Sequence, residues 1–141
     1  MQPPVDRQPL GRHLLLECWG CSDAINSTEQ MERAIEETVV RVGATLLHLH
    51  SHQFSPQGVT AFGLLAESHL SLHSWPERQY LAADLFTCGE PVDPEQVATV
   101  LRSRFGPSQI DILELDRGAE PGTGPAVRES PGALSALRRE V

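Results

Sequence analysis

The stretch from Ser68 to Cys88 limits the possible folds more than any other. Leu70 and Leu72 alternate with Ser71, His73 and Trp75, the segment Pro76-Glu77-Arg78-Gln79 interrupts the run, and the chain returns as Tyr80 to Cys88. Side chains along a strand point to opposite faces with a period of two, so two such runs joined by a short turn pair as an antiparallel hairpin. Further strands flank it. Ala44 to His52 places Leu47 and Leu49 against His48, His50 and His52, and Gly58 to Ala66 follows a Pro-Gly loop. His13 to Trp19 reads as a buried strand near the start, and Gln109 to Leu115 as the last one.

Two segments change to helical spacing. Met31, Ala34, Ile35, Thr38, Val39 and Val42 recur on one face, with Ser27 or Thr28 as N-cap and Gly43 at the C-terminal cap. Pro94 suits the first turn of a second helix whose Val97, Val100, Leu101 and Phe105 share a face, and Gly106-Pro107 stops it. The order strand, helix, four strands, helix, strand predicts an α+β two-layer sandwich: a mostly antiparallel sheet with helices on one face. The other face then needs a cover.

With 141 residues, 40% of them hydrophobic, the chain fits one compact domain. Residues 1–9, with three prolines, read as an arm, residues 10–116 as the domain, and 117–141 as a Gly/Pro-rich tail. Residues 117–132 are expected to be mobile and 133–139 to add a turn or two of helix. A formal net charge of −8 disfavours nonspecific binding to nucleic acid or anionic membranes. No run approaches the roughly 20 apolar residues that span a bilayer, and Met1-Gln2-Pro3-Pro4 opens no secretory signal, so a cytoplasmic protein is expected. Three cysteines, an odd number, argue against a disulfide-stapled fold.

Reactive side chains are densest between Glu67 and Cys88: Glu67, Ser68, His69, His73, Asp84 and Cys88. A serine and a histidine several residues apart occur in many inert strands, so this density alone assigns no activity. Cys18-Trp19-Gly20-Cys21 with the strand face of His48, His50 and His52 opens a second reading, a metal-binding protein. A lone CxxC falls short of the tetrahedral ligand set of a structural zinc site.

The segment Ala66-Glu67-Ser68-His69-Leu70-Ser71-Leu72-His73-Ser74-Trp75-Pro76-Glu77, followed by Ala83-Asp84-Leu85-Phe86-Thr87-Cys88-Gly89, resembles the processing and active-site region of bacterial S-adenosylmethionine decarboxylase proenzymes. The resemblance extends through Leu10-Gly11-Arg12-His13 and through His52, Phe54, Pro56, Gly58, Val59 and Thr60, and so covers residues 10–116. It implies that the Ser68 hydroxyl attacks the Glu67 carbonyl, that the chain is cut into residues 1–67 and 68–141, and that Ser68 becomes a pyruvoyl group. That group forms a Schiff base with the substrate amine and acts as an electron sink, with no metal required.

By the same resemblance, Thr60 stands where a serine usually stabilises the oxyanion, and His73 where a base accepts a proton during processing. Cys88 matches the proton donor of catalysis; a thiol is mostly protonated at neutral pH and fit for that task. Phe54 matches an aromatic that stacks on adenine, Glu77 an acid facing ribose, and Trp75 a wall of the substrate site. Ser74 and Gln79 depart from the family's usual Thr and Gly.

The implied product is decarboxylated S-adenosylmethionine, the aminopropyl donor for spermidine synthesis. Arginine or ornithine as substrate is the alternative within the same chemistry. A homodimer is implied as well, two sheets meeting to give four layers, αββα, with active sites between subunits. Ser68 and His73, five apart, fall on opposite faces of an unbroken strand, so an interruption near Ser68 is expected.

Overall fold

In a computed structural model that describes residues 8–66, 68–122 and 127–129, the chain forms a single seven-stranded sheet with two helices on one face. The elements are β1 (Gly11–Trp19), α1 (Thr28–Val42), β2 (Leu46–Gln53), β3 (Val59–Leu65), β4 (Ser68–Trp75), β5 (Tyr80–Cys88), α2 (Pro94–Phe105), β6 (Gln109–Arg117) and β7 (Val127–Glu129). Short 3-10 turns at Asp23–Asn26 and Pro76–Arg78 precede α1 and β5. The sheet order is β2-β3-β4-β5-β1-β6-β7, and every neighbouring pair is antiparallel.

The helices begin and end where their caps dictate. Ser27 accepts from the Gln30 N–H and Asp93 from the Glu95 N–H, each satisfying a donor that the first helical turn leaves open. Gly43 and Gly106 close the helices in the left-handed region. Alternation then sorts each strand. Leu14, Leu16 and Cys18 of β1, Leu70 and Leu72 of β4, and Leu81, Ala83 and Leu85 of β5 are buried against Ile35, Val97, Leu101 and Phe105 of the helices. Burying each large side chain contributes about 1.5–3 kcal/mol relative to exposure. At Gly63 the contact is so close that a Cβ would sit 2.8 Å from the Ile35 side chain.

The second sheet face is uncovered in the single chain. It carries His13, Leu15, Glu17 and Trp19 of β1, so β1 is buried on one side only, and Trp19 keeps 44% of its surface exposed. Phe62, Leu64 and Trp75 lie on the same face, 39–44% exposed.

Two expectations are corrected. β4 runs without a bulge from Ser68 to Trp75, because continuous ladders to β3 and β5 hold it on both sides, so Ser68 and His73 keep opposite faces. Part of the Gly/Pro-rich segment expected to be mobile is a strand: Val127–Glu129 pairs with Leu113–Leu115 of β6, and Arg128 bridges Glu114 and Asp116. Glu67 and the expected helical turn at 133–139 lie outside the described residues. Among the described residues, no helix is long and apolar enough to cross a membrane.

Candidate active site

The residues singled out in the sequence gather in two places, at opposite ends of the β3–β4 ladder. At one end, where Ser68 pairs with Leu65, a cavity of about 270 Å³ is lined by Ser68 and Cys88 together with Thr45, Ala66, Thr87 and Glu90. Ser68 follows the helix-side alternation of β4 and Cys88, the last residue of β5, the open-face alternation, while Val42, Gly43 and Ala44 at the end of α1 join the lining. The Ser68 Oγ is buried and has no hydrogen-bond partner among the described residues. An unmet buried hydroxyl costs about 1–3 kcal/mol, so such groups are uncommon and call for a reason.

At the other end, where Thr60 pairs with His73, a cavity of about 340 Å³ is lined by Phe54, Gln57, Thr60, His73, Trp75 and Glu77, with Gly58 and Ser74. Thr60 Oγ1 and His73 Nδ1 are hydrogen-bonded at 3.0 Å. Gln57 Nε2 donates to Glu77 Oε2 at 3.0 Å, and Phe54 stands 48% exposed at the rim, edge-on to His52. Ser74, in place of the threonine expected there, accepts from the Val59 N–H through its hydroxyl and so anchors the start of β3.

Sequence reasoning missed what supports these residues. Trp75 lies against Tyr80, which stacks on Trp19 at 4.4 Å and donates its hydroxyl to Glu17. Burial, followed by that hydrogen bond, holds the Tyr80 phenol well above its usual pKa, so it stays a donor. The signal was present as parity: Trp19, Trp75 and Tyr80 all fall on the open face once the register is known.

A second network occupies the middle of that face. Asp84 Oδ2 accepts from His13 Nε2 at 2.7 Å and from His69 Nε2 at 2.8 Å, while Oδ1 accepts from Ser71. Burial, the largest influence, pushes the Asp84 carboxyl up, but the hydrogen bonds from Ser71, His13 and His69 together outweigh it and leave the carboxyl below its usual pKa. Two histidines and a carboxylate at this spacing also resemble a metal-ligand set. In this structure protons hold the group together: Arg117 donates to His13 Nδ1, which puts the His13 proton on Nε2, and His69 Nε2 likewise donates to Asp84.

Among the described residues, no further His, Cys, Asp or Glu joins Cys18 and Cys21 in a group of metal-ligand spacing. Cys18 and Cys21 are buried in the core, and burial pushes their thiols up to about 12 and about 11, so both stay protonated. His48, His50 and His52 are exposed on the open face of β2, opposite Leu64, Phe62 and Thr60.

Comparison with known proteins covers most of the chain. The family model described as S-adenosylmethionine decarboxylase matches residues 12–118. An S-adenosylmethionine decarboxylase proenzyme of Methanococcus aeolicus is 44% identical over 111 residues, 78% of this chain and 95% of that protein. One of Thermomicrobium roseum is 44% identical over 110 residues, 77% of this chain and 94% of that protein. The crystal structure of the adenosylmethionine decarboxylase from Aquifex aeolicus superimposes with a TM-score of 0.73 at 30% identity, covering 83% of this chain and 98% of that one. A match of this extent, running through both cavities and the strands that frame them, means that the chain belongs to the S-adenosylmethionine decarboxylase family.

Proposed function

We propose that the chain is a self-processing S-adenosylmethionine decarboxylase that cuts itself between Glu67 and Ser68, with each active site assembled from two copies. The observation that carries the reading is the Ser68 hydroxyl. It is buried, lacks a partner among the described residues, and belongs to the first residue of a strand, directly after the peptide bond to be cut. A hydroxyl kept out of hydrogen bonding is available to attack the Glu67 carbonyl carbon, the peptide nitrogen leaving to give an ester. Loss of the Ser68 α proton then expels the Glu67 carboxylate and leaves an enamine at residue 68, whose tautomer exchanges its nitrogen for a water oxygen and releases ammonia.

The need for two copies follows from distance. Five residues of strand separate Ser68 from His73 by about 16 Å, on opposite faces, and no rotamer bridges that gap. A two-fold axis lying across the strands, between two sheets packed open face to open face, sets each end of one sheet against the other end of its partner. The end of the sheet that carries Ser68 and Cys88 then lies against the end that carries the partner's Thr60 and the partner's His73, and the exposed Trp19, Phe62, Leu64 and Trp75 gain a cover.

In such a site Thr60 donates to the oxyanion and His73, hydrogen-bonded to it, takes the α proton. The extra methyl of threonine crowds that donor and slows processing relative to serine. Once formed, the pyruvoyl group supplies a carbonyl that condenses with the substrate amine and accepts the electron pair left by departing carbon dioxide. Cys88 returns a proton to the substrate carbon. Phe54 stacks on adenine and Glu77 accepts from ribose hydroxyls in place of Gln57. Arginine or ornithine would leave Phe54 without a ring to stack on, which favours the nucleoside substrate.

Denaturing mass spectrometry tests the processing step. Chains 1–67 and 68–141 are expected, the second lighter by one ammonia than a chain beginning with serine and reactive toward carbonyl reagents. A preparation that stays intact while releasing carbon dioxide from S-adenosylmethionine would overturn the reading.

A further inference from the structure

We infer that Asn26 is a positioning residue for the nucleoside pocket, acting through the turn that carries Phe54. The inference rests on the assignment of Phe54 to substrate binding made above. The turn between β2 and β3 closes on itself through the Phe54 N–H, which donates to the Gly58 carbonyl at 2.8 Å. Gln57 Nε2 links its outer part to Glu77, and something further must fix its base. Asn26 does so: its Oδ1 accepts from the Gly58 N–H at 2.9 Å and from Gln53 Nε2 at 3.0 Å. Gln53 Nε2 also reaches the Gly58 carbonyl at 2.9 Å, so one carboxamide oxygen ties both ends of the turn.

The anchor is itself well held. Asn26 ends the 3-10 turn Asp23–Asn26, whose Ile25 is fully buried and whose first residue is preceded by the Ser22 cap. Backbone bonds from Cys21 to the Gln79 carbonyl and from Ser22 to the Phe105 carbonyl fasten that segment to the β4–β5 turn and to α2. Position 58 cannot take up the slack, because a Cβ there would lie 3.3 Å from the Ser74 carbonyl and its φ is +105°. Phe54, 48% exposed at the cavity rim, therefore owes its place in part to an acceptor 28 residues earlier in the chain.

The role needs only an oxygen acceptor, and this separates it from a general need for asparagine. Asn26→Ala removes the acceptor, Asn26→Asp keeps it, and Gln53→Leu removes one of the two donors. The probe is 5′-methylthioadenosine, which carries adenine and ribose but no amino-acid group, so calorimetric binding reads the pocket independently of decarboxylation. Losing two hydrogen bonds that fix an aromatic wall should weaken binding about tenfold in Asn26→Ala and less in Gln53→Leu, with Asn26→Asp within about twofold of the parent. In a Phe54→Ala background, Asn26→Ala should cost no further affinity, because its effect passes through the missing ring.

Parent-like affinity in Asn26→Ala, an equal loss in the Phe54→Ala background, or failure of Asn26→Asp to rescue would overturn the inference while leaving Phe54 in its role. Unchanged affinity in Phe54→Ala alone would overturn the pocket assignment, and the inference with it. Should Asn26→Ala fail to fold, Gln53→Leu in both backgrounds tests the same bonds from the donor side, and an equal loss with and without Phe54 would again overturn the inference.

Discussion

The three serines of β4 differ in what their hydroxyls touch. Ser71 donates to Asp84, Ser74 is bonded to the Val59 backbone, and Ser68 is buried without a partner among the described residues. Only the last has its oxygen free for chemistry, and it follows the bond that the family resemblance marks for cleavage. The cysteines divide in a similar way. Burial keeps Cys18 and Cys21 protonated and out of reach, whereas Cys88 is exposed beside Ser68. Brief treatment with iodoacetamide at neutral pH is therefore expected to modify Cys88 first and to abolish decarboxylation without reversing chain cleavage. Peptide mass mapping reads the site, and prior labelling of Cys18 or Cys21 would contradict the assignment.

At the scale of the element, the helices and the faces of the strands were legible because short-range physics sets them. Ser27 and Gly43 bound α1, Pro94 and Gly106 mark the ends of α2, and period-two alternation put Leu70 and Leu72 on the buried side of β4. Strand order was not legible, since the insertion of β1 between β5 and β6 depends on pairings more than 60 residues apart along the chain. β7 was missed because three residues among glycines and prolines carry no periodicity. The expected interruption of β4 is absent because continuous ladders to β3 and β5, which only the strand order reveals, hold the strand from Ser68 onward.

The turn before β5 supplies a test of local strain. Gln79 has a φ of +54°, a left-handed conformation that disfavours side chains with a Cβ and suits the glycine usual in the family. Gln79→Gly is expected to raise stability by about 0.5–1 kcal/mol, the relief of strain exceeding the entropic cost of glycine. Urea denaturation should show a higher midpoint with an unchanged slope. A lower midpoint would mean that the side chain holds the turn through a contact outweighing its backbone strain.

For the whole molecule, the open face carries the Asp84 network at its centre. Asp84 is held below its ordinary pKa, so its folded state favours the ionised form. The sign follows from linkage: this contribution is present in full above the ordinary carboxylate pKa of about 4 and is lost as pH falls through the lowered native value. Asp84→Asn should cost about 1–2 kcal/mol at neutral pH and flatten the acid limb of the stability profile below about pH 4. An unchanged acid limb in thermal melts across pH would remove Asp84 as its source.

Assembly of each site from two copies is tested most directly by co-expressing two differently tagged variants, Ser68→Ala and His73→Ala. Expressed alone, each is expected to remain uncut, the first lacking the nucleophile and the second the base. In the mixed dimer one composite site loses both groups, while the other keeps the Ser68 of the His73→Ala chain together with the His73 of the Ser68→Ala chain. Intact-mass spectrometry should then find the His73→Ala chain cut after Glu67 and the Ser68→Ala chain whole. A His73→Ala chain that stays uncut in every mixture, with mixed dimers verified by double-tag purification, would contradict a site shared between subunits.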